Sequence, residues 1–366
     1  MACYRDFAYK MGCGRYLQGH GVLENTAEEI LRTGAHRALI IGGVRALAVA
    51  LPRLAAHLTQ NGIPYEVCEH RGHCCVSYME TYAARAKNGG ADIILGVGGG
   101  KIMDLAKGVA AVADLPCINI PTSAATCAAY TPLSVVYTED GKTVPPSIKH
   151  KKEVNAVIAD LDLLLTEPPR LLIAGAYDAL AKKIELDHRI KGKRSEEMVL
   201  GLEYAAHLSE LTYQKLCALL PEALDALKTG VCNRAFEEVV YINLAVTGVI
   251  SGISKGSGQT ALAHEFYELV RTLFTAPAAD FIHGELVGMG LAVQLDYNGD
   301  GEKIEGITSL LREYGLPVYL SDIGVEESEE NLRLLADEMN ASGSMEDTSD
   351  EEKARVHRAI RRLVRE

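Results

Sequence analysis

Three consecutive glycines, Gly98, Gly99 and Gly100, separate an apolar strand-like run from a helical pattern that begins near Lys101. Because glycine has no Cβ, such a turn lets the backbone approach a ligand closely. The free N–H groups at the start of a helix bind phosphate. The segment therefore predicts a phosphate or pyrophosphate site, although it matches neither G-x-G-x-x-G nor a Walker loop. Asp104, in the first helical turn, is expected to stabilise the helix dipole or to hydrogen-bond a ligand hydroxyl or the loop backbone.

A second candidate segment, PTSAATCAAYTPLSVVYTEDG at 121–141, is rich in small and hydroxyl-bearing residues. It has the periodicity of neither an amphipathic helix nor an alternating strand. It follows the apolar run LPCINI, so we interpret it as the wall of a ligand site at the end of a buried strand. Cys127 lies in its middle. We favour a small pocket-lining role for this cysteine over a nucleophilic one.

The elements that must position these residues alternate along the first half of the chain. The apolar runs HRALIIGG, IPYEVCEH, ADIILGVGGG and LPCINIPT are separated by helical patterns, and NAVIADLDLL adds another strand candidate. This order predicts βαβ units and a parallel sheet. After Pro168 and Pro169, helical patterns dominate, at roughly 195–227, 233–251, 258–274, 283–297 and 303–314. We predict an α/β nucleotide-binding domain over 1–164 and an all-helical domain over 165–366.

The composition narrows the class of protein. The chain has 366 residues and a net charge of −12, which disfavours nucleic acid and anionic membranes as partners. The nine cysteines are odd in number and form no CxxC, and the chain opens on no targeting pattern. No apolar run is predicted to reach the roughly 20 residues of a membrane span. We expect a cytoplasmic protein with reduced thiols.

Two further groups of titratable residues are considered as ligands. The segment CEHRGHCC packs cysteines and histidines closely enough to bind a soft metal, but we favour a strand end and loop. Its candidate ligands are Cys68, His70, His73, Cys74 and Cys75. Glu185 and His188 are one helical turn apart and are interpreted as a solvated pair.

Several ordered motifs together resemble a known family. They are GGGKxxDxAK and PTxAxTxAxxxxLSVxY, with GRYLQGHGVLE, GAYDALAKKIE, QTALAHEFYE and FIHGELVGMGLAVQL. The chain resembles the glycerol dehydrogenase branch of the iron-containing alcohol dehydrogenase and dehydroquinate synthase-like superfamily, up to about residue 325. The resemblance implies an N-terminal Rossmann-like parallel-sheet domain, an all-α C-terminal domain, a site in the cleft between them, and a homo-oligomer.

The resemblance also implies a divalent metal, one per subunit, held by Asp178, His264 and His283 as the catalytic centre. One carboxylate and two imidazoles with an open position suit Zn²⁺ or Fe²⁺. The resemblance implies Zn²⁺ as the expected ion, because zinc is typical of this branch, with Fe²⁺ as the alternative. Asp178 and His264 are expected to contact substrate as well. Tyr267 stands where many relatives carry a second histidine, which changes the lining of the site.

For the cofactor, NAD or NADP, the resemblance implies two groups of contacts. The first group is Gly98, Gly99, Gly100, Lys101, Asp104, Thr122, Thr126, Thr131, Leu133 and Tyr137. The second is the turn after the first strand, where NAD-using relatives often carry an aspartate for the ribose. Here Val44 occupies that place and Arg45 follows it. Without a carboxylate to repel a 2′-phosphate, and with an arginine to pair with one, the chain is expected to accept NADP.

The sequence is compatible with more than one class of substrate. Cys127 stands where glycerol dehydrogenases carry an aspartate that binds polyol hydroxyls, so it is also expected to contact substrate. The variants ATCAAYTPLSV and RGHC look more like the hydroxycarboxylate dehydrogenase subgroup. We expect an NAD(P)-linked dehydrogenase of a small secondary alcohol, with a 2-oxo acid reductase as the alternative. A dehydroquinate synthase-type lyase is disfavoured, because a glutamate is typical there in place of Asp178.

Overall fold

The computed structural model describes residues 10–198, 200–254, 260–342 and 349–365. The chain divides into two compact units. The first is built from the chain up to Leu172 together with Leu219–Gly252, and the second from Ile173–Ala218 together with the chain from Ile253 onward. The division at 164/165 inferred from the sequence stays a prediction. The first unit takes in a later helical segment that no local sequence pattern marks as its part.

The first unit is built on a six-stranded, fully parallel sheet in the order β1-β8-β5-β4-β2-β3. Its strands are β1 (Arg15–Gly19), β2 (Ala38–Gly43), β3 (Tyr65–His70), β4 (Ile93–Gly98), β5 (Cys117–Pro121) and β8 (Ala156–Asp160). Two short antiparallel strands, β6 (Leu133–Ser134) and β7 (Ile148–Lys149), form a separate pair. The predicted parallel sheet is confirmed. Strand β1 was not predicted, because its partly exposed residues lack an apolar run.

Helices pack on the sheet through apolar stripes at helical spacing. In the helix Val44–Gln60, the buried residues Leu47, Ala50, Leu54 and Leu58 recur every three or four positions, so one face meets the sheet. The helices up to residue 164 are α1 (Thr26–Arg32), α2 (Val44–Gln60), α3 (Val76–Gly89), α4 (Gly100–Ala113) and α5 (Leu161–Leu164).

The sheet has a topological switch point between β2 and β4. From β2 the chain moves out to β3, then returns to β4 on the other side of β2. Gly42 pairs in register with Val97, so the turns after both strands lie side by side. Open parallel sheets bind ligands at the carboxyl ends of their strands at such a point. The fold therefore brings the turn at Val44 next to the glycine turn.

The remaining helices confirm the predicted helical region; the helix predicted from about 195 begins at Leu202, and the other predicted bounds agree within four residues. They are α6 (Pro169–Ile190), α7 (Leu202–Thr229), α8 (Arg234–Tyr241), α9 (Thr247–Ile253), α10 (Leu262–Leu273), α11 (His283–Asn298), α12 (Ile304–Glu313), α13 (Glu329–Ala341) and α14 (Asp350–Ala359). A π-helical segment, Ile242–Val246, joins α8 to α9.

Glycines in α11 bring three helices of the second unit into backbone contact. A Cβ on Gly284 would lie 1.9 Å from the carbonyl oxygen of Ala174 in α6. One on Gly290 would lie 2.6 Å from the carbonyl oxygen of Ala263 in α10. Any larger residue at these two positions would push the helices apart. This close packing explains the spacing of glycines in FIHGELVGMG and sets the distances between side chains on α6, α10 and α11.

One helix bears on the expectation that no apolar run would suit a membrane span. The continuous helix Arg234–Ile253 has 20 residues and a mean hydropathy of 1.4, which is long and apolar enough by length and composition alone. Charged residues such as Glu237 and Glu238 interrupt this segment, so it is a helix of sufficient length and mean hydropathy but not an uninterrupted apolar run. The structure buries 56% of its most apolar window, as in the core helix of a globular protein.

Candidate metal centre and cofactor loop

Three side chains of the second unit converge on one point. Asp178 is in the middle of α6, His264 in the first turn of α10, and His283 at the first position of α11. One ligand atom from each residue lies within 4.8 Å of the other two. The contact of Gly284 with Ala174, one turn before Asp178, places His283 over α6. The three residues implied by the family resemblance are therefore brought together by helix packing.

The distances within this cluster suit a small divalent ion. Asp178 Oδ1 lies 3.3 Å from His264 Nε2 and 3.6 Å from His283 Nε2. A tetrahedral ion with bonds of about 2.0–2.1 Å separates its ligands by roughly 3.3–3.5 Å. Asp178 is buried, and although burial alone would raise its pKa, Lys182 and the two histidines hold that pKa well below its usual value. The residues fit Zn²⁺ or Fe²⁺ with a position left open for substrate.

Lys182 is a buried cation inside the same cluster. Its Nζ lies 3.0 Å from Asp178 Oδ1 and 3.0 Å from His264 Nε2. Lys182 lies one turn after Asp178 on α6, so both residues occupy the same helix face. Because this ammonium bonds two of the three candidate ligands, it competes with a metal ion for them. Lys182 was not predicted as part of the site, although its spacing of four residues from Asp178 was a usable signal.

Glu185 supports His264 from behind. Its Oε2 lies 2.6 Å from His264 Nδ1, while its Oε1 accepts from the backbone N–H groups of His264 (2.9 Å) and Ala261 (2.8 Å). The interpretation of Glu185 and His188 as a solvated pair is wrong for Glu185, which is fully buried. Since Nε2 of His264 accepts a hydrogen bond from Lys182, Nδ1 is the protonated ring nitrogen and donates a hydrogen bond to Glu185. A carboxylate in this position fixes the tautomer of a metal-binding histidine and increases its basicity.

Replacing Glu185 with Gln is expected to weaken metal binding by about 10- to 100-fold, because the amide cannot hold the ring with a full negative charge. Metal affinity is measured by competition with a chromogenic chelator. The matched control is Glu203→Gln on the exposed surface of α7, where the affinity should not change. Equal affinity in Glu185→Gln and wild type would contradict the supporting role.

His283 is positioned by an aromatic neighbour. The ring of Tyr267 lies edge-on to the ring of His283, with 4.3 Å between centroids. Burial lowers the pKa of His283, which keeps its imidazole neutral and available as a ligand. Tyr267 thus takes part in shaping the centre. This agrees with the expectation that a tyrosine at this position alters the lining of the site.

In the first unit, the glycine turn is shaped for close approach. A Cβ on Gly98 would lie 2.9 Å from Ile102, and one on Gly100 would lie 2.7 Å from the Thr126 side chain. The backbone N–H of Thr122 donates to the carbonyl of Gly98 over 2.9 Å. Helix α4 begins at Gly100, as predicted. The turn and the start of the 121–141 segment therefore form one continuous structure at the carboxyl ends of β4 and β5.

A buried lysine organises the rest of that segment. Lys107 on α4 donates from Nζ to the carbonyls of Ala128 (2.6 Å), Thr131 (2.9 Å) and Leu133. It also pairs with Asp104, whose Oδ1 is 2.9 Å away. The other oxygen, Oδ2, accepts from the backbone N–H of Val135 over 3.0 Å. Asp104 is the fifth residue of α4, so the expectation that it lies in the first helical turn is wrong, and its carboxylate accepts from the backbone of the 121–141 segment.

Other predicted cofactor residues lie in different surroundings. Thr131 is buried, and its N–H donates to the carbonyl of Cys127. Tyr137 donates its N–H to the carbonyl of Cys74, and its ring lies 5.6 Å from that of His73. Val44 and Arg45 are exposed at the start of α2. The cofactor roles of these residues stay predictions, as does the role of Cys127, which is buried in a short 3-10 turn.

The CEHRGHCC segment is a strand end and loop. His70 closes β3, and its ring nitrogens contact the Tyr82 hydroxyl and the carbonyl of His73, each over 3.2 Å. Cys68 is buried in the strand. Within the described ranges, the segment is not among the clusters whose ligand atoms converge. Cys68 is part of a buried apolar cluster beside β3, so a cysteine at this position acts as a small apolar side chain.

Comparison with known proteins gives concordant matches. The family model for iron-containing alcohol dehydrogenase matches residues 13–162. A glycerol dehydrogenase of Escherichia coli O6:H1 is 30% identical over 335 residues, covering 90% of this chain and 89% of that protein. Hydroxycarboxylate dehydrogenase A of Escherichia coli K12 is 29% identical over 290 residues, covering 79% and 78% of the two chains.

The fold has close counterparts among solved structures. The crystal structure of a probable glycerol dehydrogenase from Sinorhizobium meliloti 1021 superposes with a TM-score of 0.82 at 24% identity. The match covers 97% of this chain and 98% of that one. The predicted combination of a Rossmann-like parallel sheet and a helical region is confirmed.

Proposed function

The chain belongs to the iron-containing alcohol dehydrogenase family, and we propose that it is a metal-dependent, NAD(P)-linked oxidoreductase interconverting a small secondary alcohol and its ketone. The observation that carries this proposal is the convergence of Asp178, His264 and His283 within 4.8 Å on three separate helices. Glycerol and related diols are the first substrates to consider, because a relative 30% identical over most of its length is a glycerol dehydrogenase.

Each residue of the centre has a defined task in this proposal. Asp178, His264 and His283 hold the metal, and Glu185 keeps the imidazole of His264 in the ligating tautomer. When bound, the metal supplies Lewis-acid activation of the substrate oxygen, and the nicotinamide supplies the hydride acceptor. The glycine turn and α4 hold the cofactor phosphates through backbone N–H groups. Lys107 and Asp104 fix the segment that is expected to contact the nicotinamide half.

A second candidate function, reduction of a 2-oxo acid, is favoured by Lys182. Lys182 is buried and lies 3.0 Å from each of two candidate ligands. Because Lys182 bonds the same atoms that would bind a metal, its ammonium would leave Asp178 Oδ1 and His264 Nε2 when a metal is bound. The Lys182 ammonium would then be able to pair with an anionic group of the substrate, and a carboxylate has the required charge. Cys127, in place of a carboxylate, is a further reason to expect an anionic substrate.

The test of the proposed function is a substrate panel. The protein is stripped of metal, reloaded with Zn²⁺ or Fe²⁺, and assayed with glycerol, 1,2-propanediol, 2-hydroxy acids and 2-oxo acids, each with both cofactors. Turnover that requires added metal supports the proposal, and metal-independent turnover or none with any substrate overturns it. Fast glycerol oxidation with inert 2-oxo acids would remove the second candidate.

Replacing Lys182 with Met is expected to raise the affinity for metal and to lower kcat/KM for carboxylate substrates. Metal affinity should rise by at least about tenfold, because the competing ammonium is gone. The kcat/KM for a 2-oxo acid should fall by roughly 10- to 100-fold, and that for glycerol by much less. Chelator competition and steady-state kinetics measure the two effects.

The control for this variant is Lys183→Met. Lys183 has the same chemistry, is next in sequence, and pairs with Asp187 and Glu210 instead of the candidate ligands. It should change neither metal affinity nor substrate preference. If Lys182→Met lowers kcat/KM equally for 2-oxo acids and for glycerol, Lys182 does not select for a carboxylate.

The NADP preference rests on the turn at Val44 and Arg45, next to the glycine turn at the switch point of the sheet. The wild-type kcat/KM for NADPH is expected to equal or exceed that for NADH. Arg45→Ala should lower kcat/KM for NADPH by about tenfold, because the 2′-phosphate loses its partner. The kcat/KM for NADH is the internal control. A hundredfold wild-type preference for NADH would refute this part of the proposal.

Location and assembly complete the proposal. We expect a cytoplasmic homo-oligomer. The eight described cysteines are all free, which agrees with a reducing compartment. Light scattering of the purified chain measures the subunit number.

A further inference from the structure

A second group of potential metal ligands lies in the first unit. His20 follows β1, Cys232 is in the loop between α7 and α8, and Glu237 is on α8. One ligand atom from each lies within 4.8 Å of the other two. No sequence spacing links these residues, since more than 200 positions separate the first from the others. We propose that His20, Cys232 and Glu237 form a second, surface-accessible binding site for a thiolate-preferring divalent cation such as Zn²⁺.

The histidine of this group is oriented as metal-binding histidines are. His20 Nδ1 lies 2.7 Å from Asp162 Oδ1, and Asp162 Oδ2 accepts from the backbone N–H of Gly21 over 3.1 Å. The same carboxylate therefore holds both the ring and the backbone next to it. A carboxylate on one nitrogen fixes the tautomer and leaves the other nitrogen, Nε2, as the ligand. Asp162 takes the role at this site that Glu185 takes beside His264.

The segments that carry the ligands are tied together by bonds that do not use the ligand atoms. The Gln18 side chain on β1 donates to the backbone carbonyl of Glu237 over 2.8 Å. The side chain of Asn233 caps α8 by accepting from the N–H of Phe236 over 2.8 Å. The first bond holds α8 against the end of β1, and the second orders the start of α8, next to Cys232. The three ligands therefore need only side-chain adjustments to approach within bonding distance of one ion.

The local charge also favours a cation. A carboxylate oxygen of Glu237 lies within 4.8 Å of the Cys232 thiol, and Asp162 bonds His20, so the three ligands lie beside two negative charges. Those charges attract a divalent ion, and coordination converts the thiol to a thiolate by releasing its proton to solvent. Arg234 bonds Glu237 Oε2 over 3.1 Å, but its side chain is highly exposed and can move away. Imidazole, thiolate and carboxylate together form a ligand set that Zn²⁺ accepts.

The chemistry of this site separates it from the candidate catalytic centre. Asp178, His264 and His283 include no sulfur, whereas the second site includes Cys232. Only the second site can give a thiolate-to-metal charge-transfer band when cobalt replaces zinc. The proposal is independent of the proposed function, because that band reports binding without turnover.

The experiment titrates metal-free full-length protein with Co²⁺ and follows the near-ultraviolet thiolate band. The band is expected in wild type, in Asp178→Asn, and in the control Cys217→Ser, which removes an exposed cysteine of the other unit. It should vanish in Cys232→Ser and need at least tenfold more Co²⁺ in His20→Ala. No band in wild type, or a band that persists in Cys232→Ser, overturns the proposal.

A second measurement uses the wild-type chain alone, so that it does not depend on a variant folding. Iodoacetamide alkylation of Cys232 and Cys217 is followed by peptide mass spectrometry with and without Zn²⁺. Zinc is expected to slow alkylation of Cys232 at least tenfold and to leave Cys217 unchanged. Equal protection of both cysteines, or none of Cys232, overturns the proposal.

Discussion

Replacing Asp178 with Asn is expected to abolish metal binding and to lower kcat/KM by more than about 10³-fold. Asp178 Oδ1 lies 3.3 Å from His264 Nε2 and 3.6 Å from His283 Nε2. It is therefore the central atom of the ligand set. An amide oxygen keeps the shape of the carboxylate but loses its charge. In a buried site, two neutral imidazoles and an amide hold a dication poorly, and Lys182 adds repulsion.

Metal content by mass spectrometry and steady-state kinetics with the best substrate of the panel measure these two effects. The matched control is Asp187→Asn, which lies on the same helix and pairs with Lys183 at the surface. It should keep both metal and activity. If Asp178→Asn binds one metal per chain and retains a tenth of the activity, Asp178 is not a ligand.

Much of the fold could be predicted because its elements carry local signals. Four apolar runs and one weaker candidate gave strands β2, β3, β4, β5 and β8, and Pro168–Pro169 marked the start of the helical region. Strand β1 could not be found in this way. Its partner begins at Ala156, and an edge strand with partly exposed residues needs no apolar run. The contribution of Leu219–Gly252 to the first unit likewise depends on long-range packing that no local pattern encodes.

The candidate metal centre divides into residues that only family resemblance could find and residues that spacing could have found. His264 and His283 are on different helices, and the distance between them depends on glycine contacts such as that of Gly284 with Ala174. No periodicity predicts that contact. Lys182 and Glu185, by contrast, follow Asp178 by four and seven positions and therefore share its helix face. Polar residues on one face of an otherwise apolar helix were the signal that was missed.

The same spacing rule applies to Asp104 and Lys107 on α4, and it leads to the prediction with the largest effect on stability. Replacing Lys107 with Met is expected to destabilise the first unit by about 3–5 kcal/mol, because it leaves a buried partner charge uncompensated. Lys107 is 4% exposed, and its ammonium satisfies Asp104 and three backbone carbonyls at once. Methionine fills a similar volume but offers none of these bonds.

The loss should also reach the cofactor, because those three carbonyls belong to the 121–141 segment. With Lys107 gone, α4 keeps the bond of the Asp104 side chain to the N–H of Val135 and the bond of the Ser134 hydroxyl to the carbonyl of Asp104. We expect a lower unfolding midpoint in urea and at least about tenfold weaker NADH binding by fluorescence. The control Lys152→Met removes an exposed pair with Asp114 and should change stability by less than about 1 kcal/mol. If Lys107→Met is as stable as wild type and binds NADH normally, the 121–141 segment keeps its conformation without the lysine. Its own turns are then sufficient to order the residues that contact the cofactor.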